Sequence, residues 1–208
     1  MRINYAIMER DFEGKVYSEN VMGFTLLATE YCNILDGVAL LSQKEFVDKM
    51  HRLLPLIYLK AIILPDTEAE MPEMIDKVVT QEEWEAVCET LEKKLAGVDE
   101  YSEVLDSLRD DGEMYTLSEG FADIYQDLKD YVSLYNMGTP EIMNDAIWDC
   151  KNNFKEFWGQ RLVNILRVLH NLLYGGVSLN ESDALSDDDF DPDNWGKKGD
   201  DEDAIGLN

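Results

Sequence analysis

The chain has 208 residues and sets 18 Lys and Arg against 44 Asp and Glu, a formal net charge of −26. Such a surface repels phosphate backbones, anionic headgroups and other copies of itself, and it offers no basic stripe to displace counterions, so neither nucleic acid nor membrane is an expected partner. Apolar residues make up 45%, and a chain of this length buries roughly 70% of the surface its unfolded form exposes, so no disulfide or metal is needed for folding.

At the start, "MRINYAIMERDFEGK" has no uninterrupted apolar run of signal-peptide length. Only a weak strand pattern lies in these first dozen residues. From Ser18, Val21, Phe24, Ala28, Tyr31, Cys32 and Leu35 fall on one stripe, which predicts a helix ending near Gly37. "SQKE" opens the next helix, with Ser42 and Glu45 spaced as a capping box and an apolar face of Phe46, Met50, Leu53, Ile57, Ala61 and Leu64. Pro55 falls inside it and predicts a kink or break, because it lacks an N–H and its ring meets the carbonyl of His51. The run "LLPLIYLKAIIL", Leu53 to Leu64, contains Lys60 and is too short to span a bilayer.

"LPDTEAEMPEMIDKVV" reads as an acidic connection. "TQEE", Thr80 with Glu83, is a second capping box before the stripe Trp84, Val87, Cys88, Leu91 and Leu95. Between Val98 and Glu113 a short helix is expected around Tyr101 to Leu108, followed by a turn at "DDGE". Thr116 with Glu119 starts a fourth long helix, ending near Gly138. Thr139-Pro140 starts a fifth, whose pattern continues to Tyr174 with Gly159 as a weak point and Gly175-Gly176 as the stop. Cys32, Cys88 and Cys150 form no C-x-x-C pair, the pattern of reduced thiols in a cytoplasm.

These elements predict an all-α fold: a single-domain bundle of about five main helices over 1–177, then an acidic, mobile tail over 178–208. The tail holds "LSDDDFDPDNWGKKGDDEDA". Aligned as a calcium loop from Asp189, it places Asp191, Asp193 and Asp200 at ligand positions. But Asn194 stands where the sharp turn wants glycine, Lys197 occupies position 9, and Asp200 replaces the bidentate glutamate. A solvated tail is favoured, with Phe190 and Trp195 as its two groups able to dock.

Asp123, Asp127 and Asp130 share one helix face and are the candidate metal ligands. The wheel puts them away from the stripe of Phe121, Ile124, Leu128, Tyr131 and Tyr135, which favours an outward, solvated row. The only histidines are His51 and His170, and His170 is expected as a boundary residue bonded to a carbonyl or carboxylate. Cys32 and Cys88 lie on apolar stripes and read as inert core thiols. Lys151, Lys155, Arg161 and Arg167, against Glu156 alone, form a basic section suited to neutralising neighbouring acidic helices or to receiving an acidic partner. No nucleophile elbow, phosphate loop, dinucleotide fingerprint or zinc-ligand cluster occurs.

At "VYSENVMGFTLLATEYC", "LLPLIYLKAIILP", "ADIYQDLKDYVSLYNMGT" and "NFKEFWGQRLVNILRVLHNLLY", the chain resembles a bacterial family, domain of unknown function 5063, over approximately Val16 to Tyr174. The resemblance implies a mostly helical bacterial domain, frequent in the Bacteroides group, and no activity or catalytic residue. The tail after Ser178 lies outside it.

The functional expectation is a non-enzymatic, cytoplasmic protein-binding or adaptor protein with an acidic surface, no cofactor and a basic protein as partner. Tyr125, Trp148, Trp158, Arg161, Arg167 and His170 are its candidate interaction surface. The alternatives are a metal-dependent hydrolase of a nucleotide-type substrate, built on the helix-borne carboxylates, and a mimic of nucleic acid.

Overall fold

The computed structural model describes residues 14–71, 73, 75, 77–103 and 113–181. Helix α1, Glu19–Asp36, starts where the Ser18 side chain accepts from the Val21 amide, and it buries the stripe from Val21 to Leu35. Helix α2, Gln43–Ile62, begins with the complete Ser42–Glu45 capping box. Such caps are worth about 1 kcal/mol each. Of the kink or break expected at Pro55, the break does not occur: α2 runs through it. Pro55 lies on the exposed side, where water can serve the carbonyl that loses its partner. Leu53, Leu54 and Ile57 remain buried around it and offset the missing bond.

Helix α3, Gln81–Lys94, carries the second capping box. Strands β1, Glu100–Glu103, and β2, Glu113–Thr116, then pair antiparallel with Tyr101 opposite Tyr115. The short helix expected at Tyr101 is therefore a strand as far as Glu103; residues 104–112 lie outside the described residues. Helix α4, Leu117–Tyr135, has thirteen buried residues among its nineteen. It packs against α1, α3, α5 and α6 and forms the centre of the molecule.

Helix α5, Pro140–Asn153, has proline at its first turn. A five-residue π-helical segment, Phe154–Trp158, links it to α6, Gly159–Tyr174, with helical backbone angles throughout. One expected rod is thus two helices joined by a π segment, and the bundle has six α-helices among the described residues. Gly159 makes the join: a Cβ there would lie 2.4 Å from the Phe154 carbonyl oxygen. The rod ends at Gly175, as its glycine pair predicted.

The core is aromatic at its middle. Phe24 meets Tyr131 edge-on at 5.1 Å and Trp158 at 6.4 Å, while Phe46 meets Phe121 at 5.1 Å. The buried Tyr31 hydroxyl donates to the Phe121 carbonyl at 2.9 Å, and Trp158 Nε1 donates to the Cys150 carbonyl at 3.3 Å. Contacts with the bundle continue past residue 177. The Asn180 amide donates to Gln43 Oε1 at 3.1 Å, its carbonyl accepts from the Lys44 amide at 3.2 Å, and Glu181 pairs with Lys44. Residues 182–208, which include Phe190, Trp195 and the calcium-loop alignment, lie outside the described residues.

Candidate functional site

The three aspartates of α4 do not form a solvated row. Asp123 accepts from Trp84 Nε1 at 3.0 Å and pairs with Arg161 at 3.1 Å. Burial pushes its pKa up against the opposing pull of Arg161. Asp127 accepts from Asn153 Nδ2 at 3.0 Å, and burial raises its pKa to about 6. Asp130 is 1% exposed, and its Oδ1 accepts from the amides of Val78 at 2.7 Å and Val79 at 3.0 Å. The wheel misled because α4 is central: the side opposite its main stripe is a second interface, against α3, α5 and the segment before α3. A signal was present in the sequence, since apolar residues occupy most of the α4 circumference, as in a helix buried all round.

Asp127, Asp130 and Asp149 gather around Lys77. The ammonium lies 3.0 Å from Asp149 Oδ2 and 3.6 Å from Asp130 Oδ2, and the latter oxygen is buried without a hydrogen bond. Burial pulls the Lys77 pKa down, but the Asp149 bond and the charges of Asp149, Asp130 and Asp127 outweigh it, so the net shift is upward. A lysine therefore sits where a cation would sit between these carboxylates. Among the described residues, no group of three or more His, Cys, Asp or Glu is placed to hold a metal ion.

Three other buried polar side chains, all on α5, hold the connection between α2 and α3. Asp145 accepts from the amides of Glu70 at 2.8 Å and Met71 at 2.6 Å, and Asn144 donates to the Glu68 carbonyl at 2.7 Å. Lys151 donates to the Leu64 carbonyl and to Asp66, each at 2.6 Å. Asn144 and Asp145 had no distinguishing sequence signal, because their partners are backbone groups about 75 residues away.

The basic section is largely engaged within the chain. Lys151 and Lys155 face Asp66, Arg161 holds Asp123, and Arg167 donates to the Ser102 carbonyl at 3.1 Å. Two members of the candidate interaction surface are not on the surface. Trp158 is 0% exposed, and Tyr125 is buried with its hydroxyl donating to Asp36 at 2.6 Å. Trp148 is partly buried and His170 is exposed. The partner expected for His170 differs: its ring lies 5.7 Å from that of His51 and 4.8 Å from that of Tyr174, with no hydrogen bond to a carbonyl or carboxylate among the described residues.

All three thiols are free and buried. Burial raises the pKa of Cys32 to about 12 and that of Cys88 to about 11, and lifts Cys150 as well.

An unburied apolar strip lies elsewhere. Leu56, Leu59 and Ile63 follow one another at i, i+3 and i+7 on the outer side of α2 and are 50%, 57% and 53% exposed; Leu26 on α1 is 72% exposed. The Asn20 side chain donates to the Ile63 carbonyl at 2.8 Å, which sets the first half of α1 beside the last turns of α2. Glu19 and Glu30 on α1 and Asp66 and Glu68 beyond α2 are exposed. No helix among the described residues is long and apolar enough to cross a membrane.

A central helix packed against four others, with Asp130 fixing the backbone that leads into α3, defines a helical-bundle domain. The chain belongs to the bacterial family described as Domain of unknown function (DUF5063), whose profile matches residues 15–175. It is similar to protein BF1032 from Bacteroides fragilis, known from a crystal structure: 36% identity, a TM-score of 0.71, and coverage of 79% of this chain and 99% of that one. No curated protein matches the chain.

Proposed function

We propose that this protein is a non-enzymatic binding or adaptor protein that engages another protein through the outer face of α1 and α2. The observation behind it is the strip of Leu26, Leu56, Leu59 and Ile63, each at least half exposed. Contiguous exposed apolar surface rimmed by charge is characteristic of protein–protein contact sites. The exposed Glu19 and Glu30 of α1 favour a partner with an apolar ridge flanked by Lys or Arg. A second copy is disfavoured, since two bodies drawn from a chain of −26 would repel across the same contact. The setting is the cytoplasm, where three unpaired thiols stay reduced.

A hydrolase built on α4 would need carboxylates open to a metal and a substrate. Asp123, Asp127 and Asp130 instead hold Arg161, Asn153 and two backbone amides.

The test pairs sedimentation of the chain alone with capture from a lysate of its source cells, using the wild type and a Leu56→Glu/Leu59→Glu variant. The expected outcome is a monomer that retains one basic-flanked protein, lost from the variant at unchanged melting temperature. Retention by the variant would move the contact off this face. Self-association abolished by the variant would make a second copy the occupant.

A further inference from the structure

The two histidines of the chain, far apart in sequence, are brought together by the packing of α2 against α6. Their ring centroids are 5.7 Å apart with planes inclined at 41°. Tyr174 closes a triangle, 5.7 Å from His51 and 4.8 Å from His170. His51 is partly exposed and His170 and Tyr174 are exposed. Neither imidazole has a hydrogen bond or ion pair among the described residues, so no described protein group takes up their ring nitrogens.

We propose that His51 and His170 form a cross-helix site for a divalent transition-metal ion of imidazole preference, with Zn²⁺ as the representative. The spacing fits this chemistry. A zinc–nitrogen bond of about 2.0–2.1 Å puts the metal roughly 3.2 Å from each ring centre, so two such arms span the observed separation at an angle of about 125°, near tetrahedral. Imidazole suits zinc, copper and nickel, whereas calcium and magnesium take oxygen ligands. Water fills the remaining positions, which leaves the ion accessible, as in open rather than closed zinc sites. Both ligands sit on long helices, so the bound ion would clip α2 to α6 near the C-terminal end of the bundle. A chain of −26 also concentrates cations at its surface, so the test must separate the histidines from diffuse carboxylate binding.

The experiment is a Zn²⁺ titration of the full chain at pH 7.5, followed by calorimetry and by the proton resonances of the two imidazoles. With only two histidines in the chain, each gives its own signal. The expected result is that both signals shift together and saturate at one equivalent, while Mg²⁺ and Ca²⁺ leave them unmoved. His51→Gln and His170→Gln should each weaken the one-equivalent isotherm at least tenfold, with helical content and melting temperature in the absence of metal unchanged. If the heat of binding persists in both variants, or the histidine signals stay fixed while zinc binds, the ion sits on carboxylates and the site does not exist.

Discussion

Asp130 and Val79 lie fifty-one positions apart, yet one buried carboxylate oxygen accepts the Val79 amide at 3.0 Å. The same oxygen accepts the Val78 amide at 2.7 Å. The central helix thereby fixes the backbone that leads into α3. Hydrogen bonds to a charged acceptor contribute about 1.5–3 kcal/mol, and a buried donor left unsatisfied costs a comparable amount. Asp130→Ala should therefore lower unfolding free energy by about 3 kcal/mol in a urea titration. Asp130→Asn, which keeps one acceptor oxygen, should lose less. In both variants the Val78 and Val79 amides should exchange faster than those of α1.

Asp127 stands beside Asp130 and Asp149, with Lys77 and Asn153 as its favourable neighbours. Burial raises its pKa from 3.8 to about 6. Between those values the folded state holds a proton that the unfolded chain has released, so stability falls as pH rises through this window and is greatest below it. Two units correspond to at most about 3 kcal/mol, and partial exposure reduces this to about 1–2 kcal/mol. Asp127→Asn should thus stabilise the protein at pH 7.5 and have little effect near pH 4. Urea midpoints of the two proteins at both pH values check the sign.

Gly159 gives a case where a helix-favouring change is expected to harm. In an ordinary helix interior, Gly→Ala stabilises by about 1 kcal/mol. At Gly159 the added carbon would meet the Phe154 carbonyl oxygen at 2.4 Å and its ring at 2.8 Å. The π segment must shift to accept it, displacing Phe154 from Tyr58 and Trp158, which it meets at 5.3 and 4.7 Å. Gly159→Ala should lower stability by about 2 kcal/mol, read as a fall in melting temperature.

What the sequence made legible was local. The Ser42–Glu45 and Thr80–Glu83 boxes and the α1 stripe each depend on residues within a turn or two, and each stands in the structure. The strand at Tyr101 was misread as helix because its partner, Glu113–Thr116, lies across a connection and four residues give too little alternation to outweigh helical spacing. The α4 aspartates were misplaced for a related reason: a wheel shows which face is polar but not how many neighbours the helix has. The approach of His51 to His170 depends on the pairing of α2 with α6, which no spacing within either helix encodes.

Thiol chemistry offers a probe of the whole bundle. Burial holds Cys32 at about 12 and Cys88 at about 11, and raises Cys150 too; the thiolate is the reactive form. At pH 8 the native protein should react slowly with Ellman's reagent, and Cys32 and Cys150 should become available only when the bundle opens. Their rate then follows the population of the open state. Asp130→Ala, destabilised by about 3 kcal/mol, should accelerate that labelling on the order of a hundredfold. Cys88, which faces Glu92 at 3.8 Å on the peripheral α3, should react first. Rapid labelling of all three sites in the native wild type, or no acceleration in the variant, would show that access to the thiols does not require the opening that Asp130 resists.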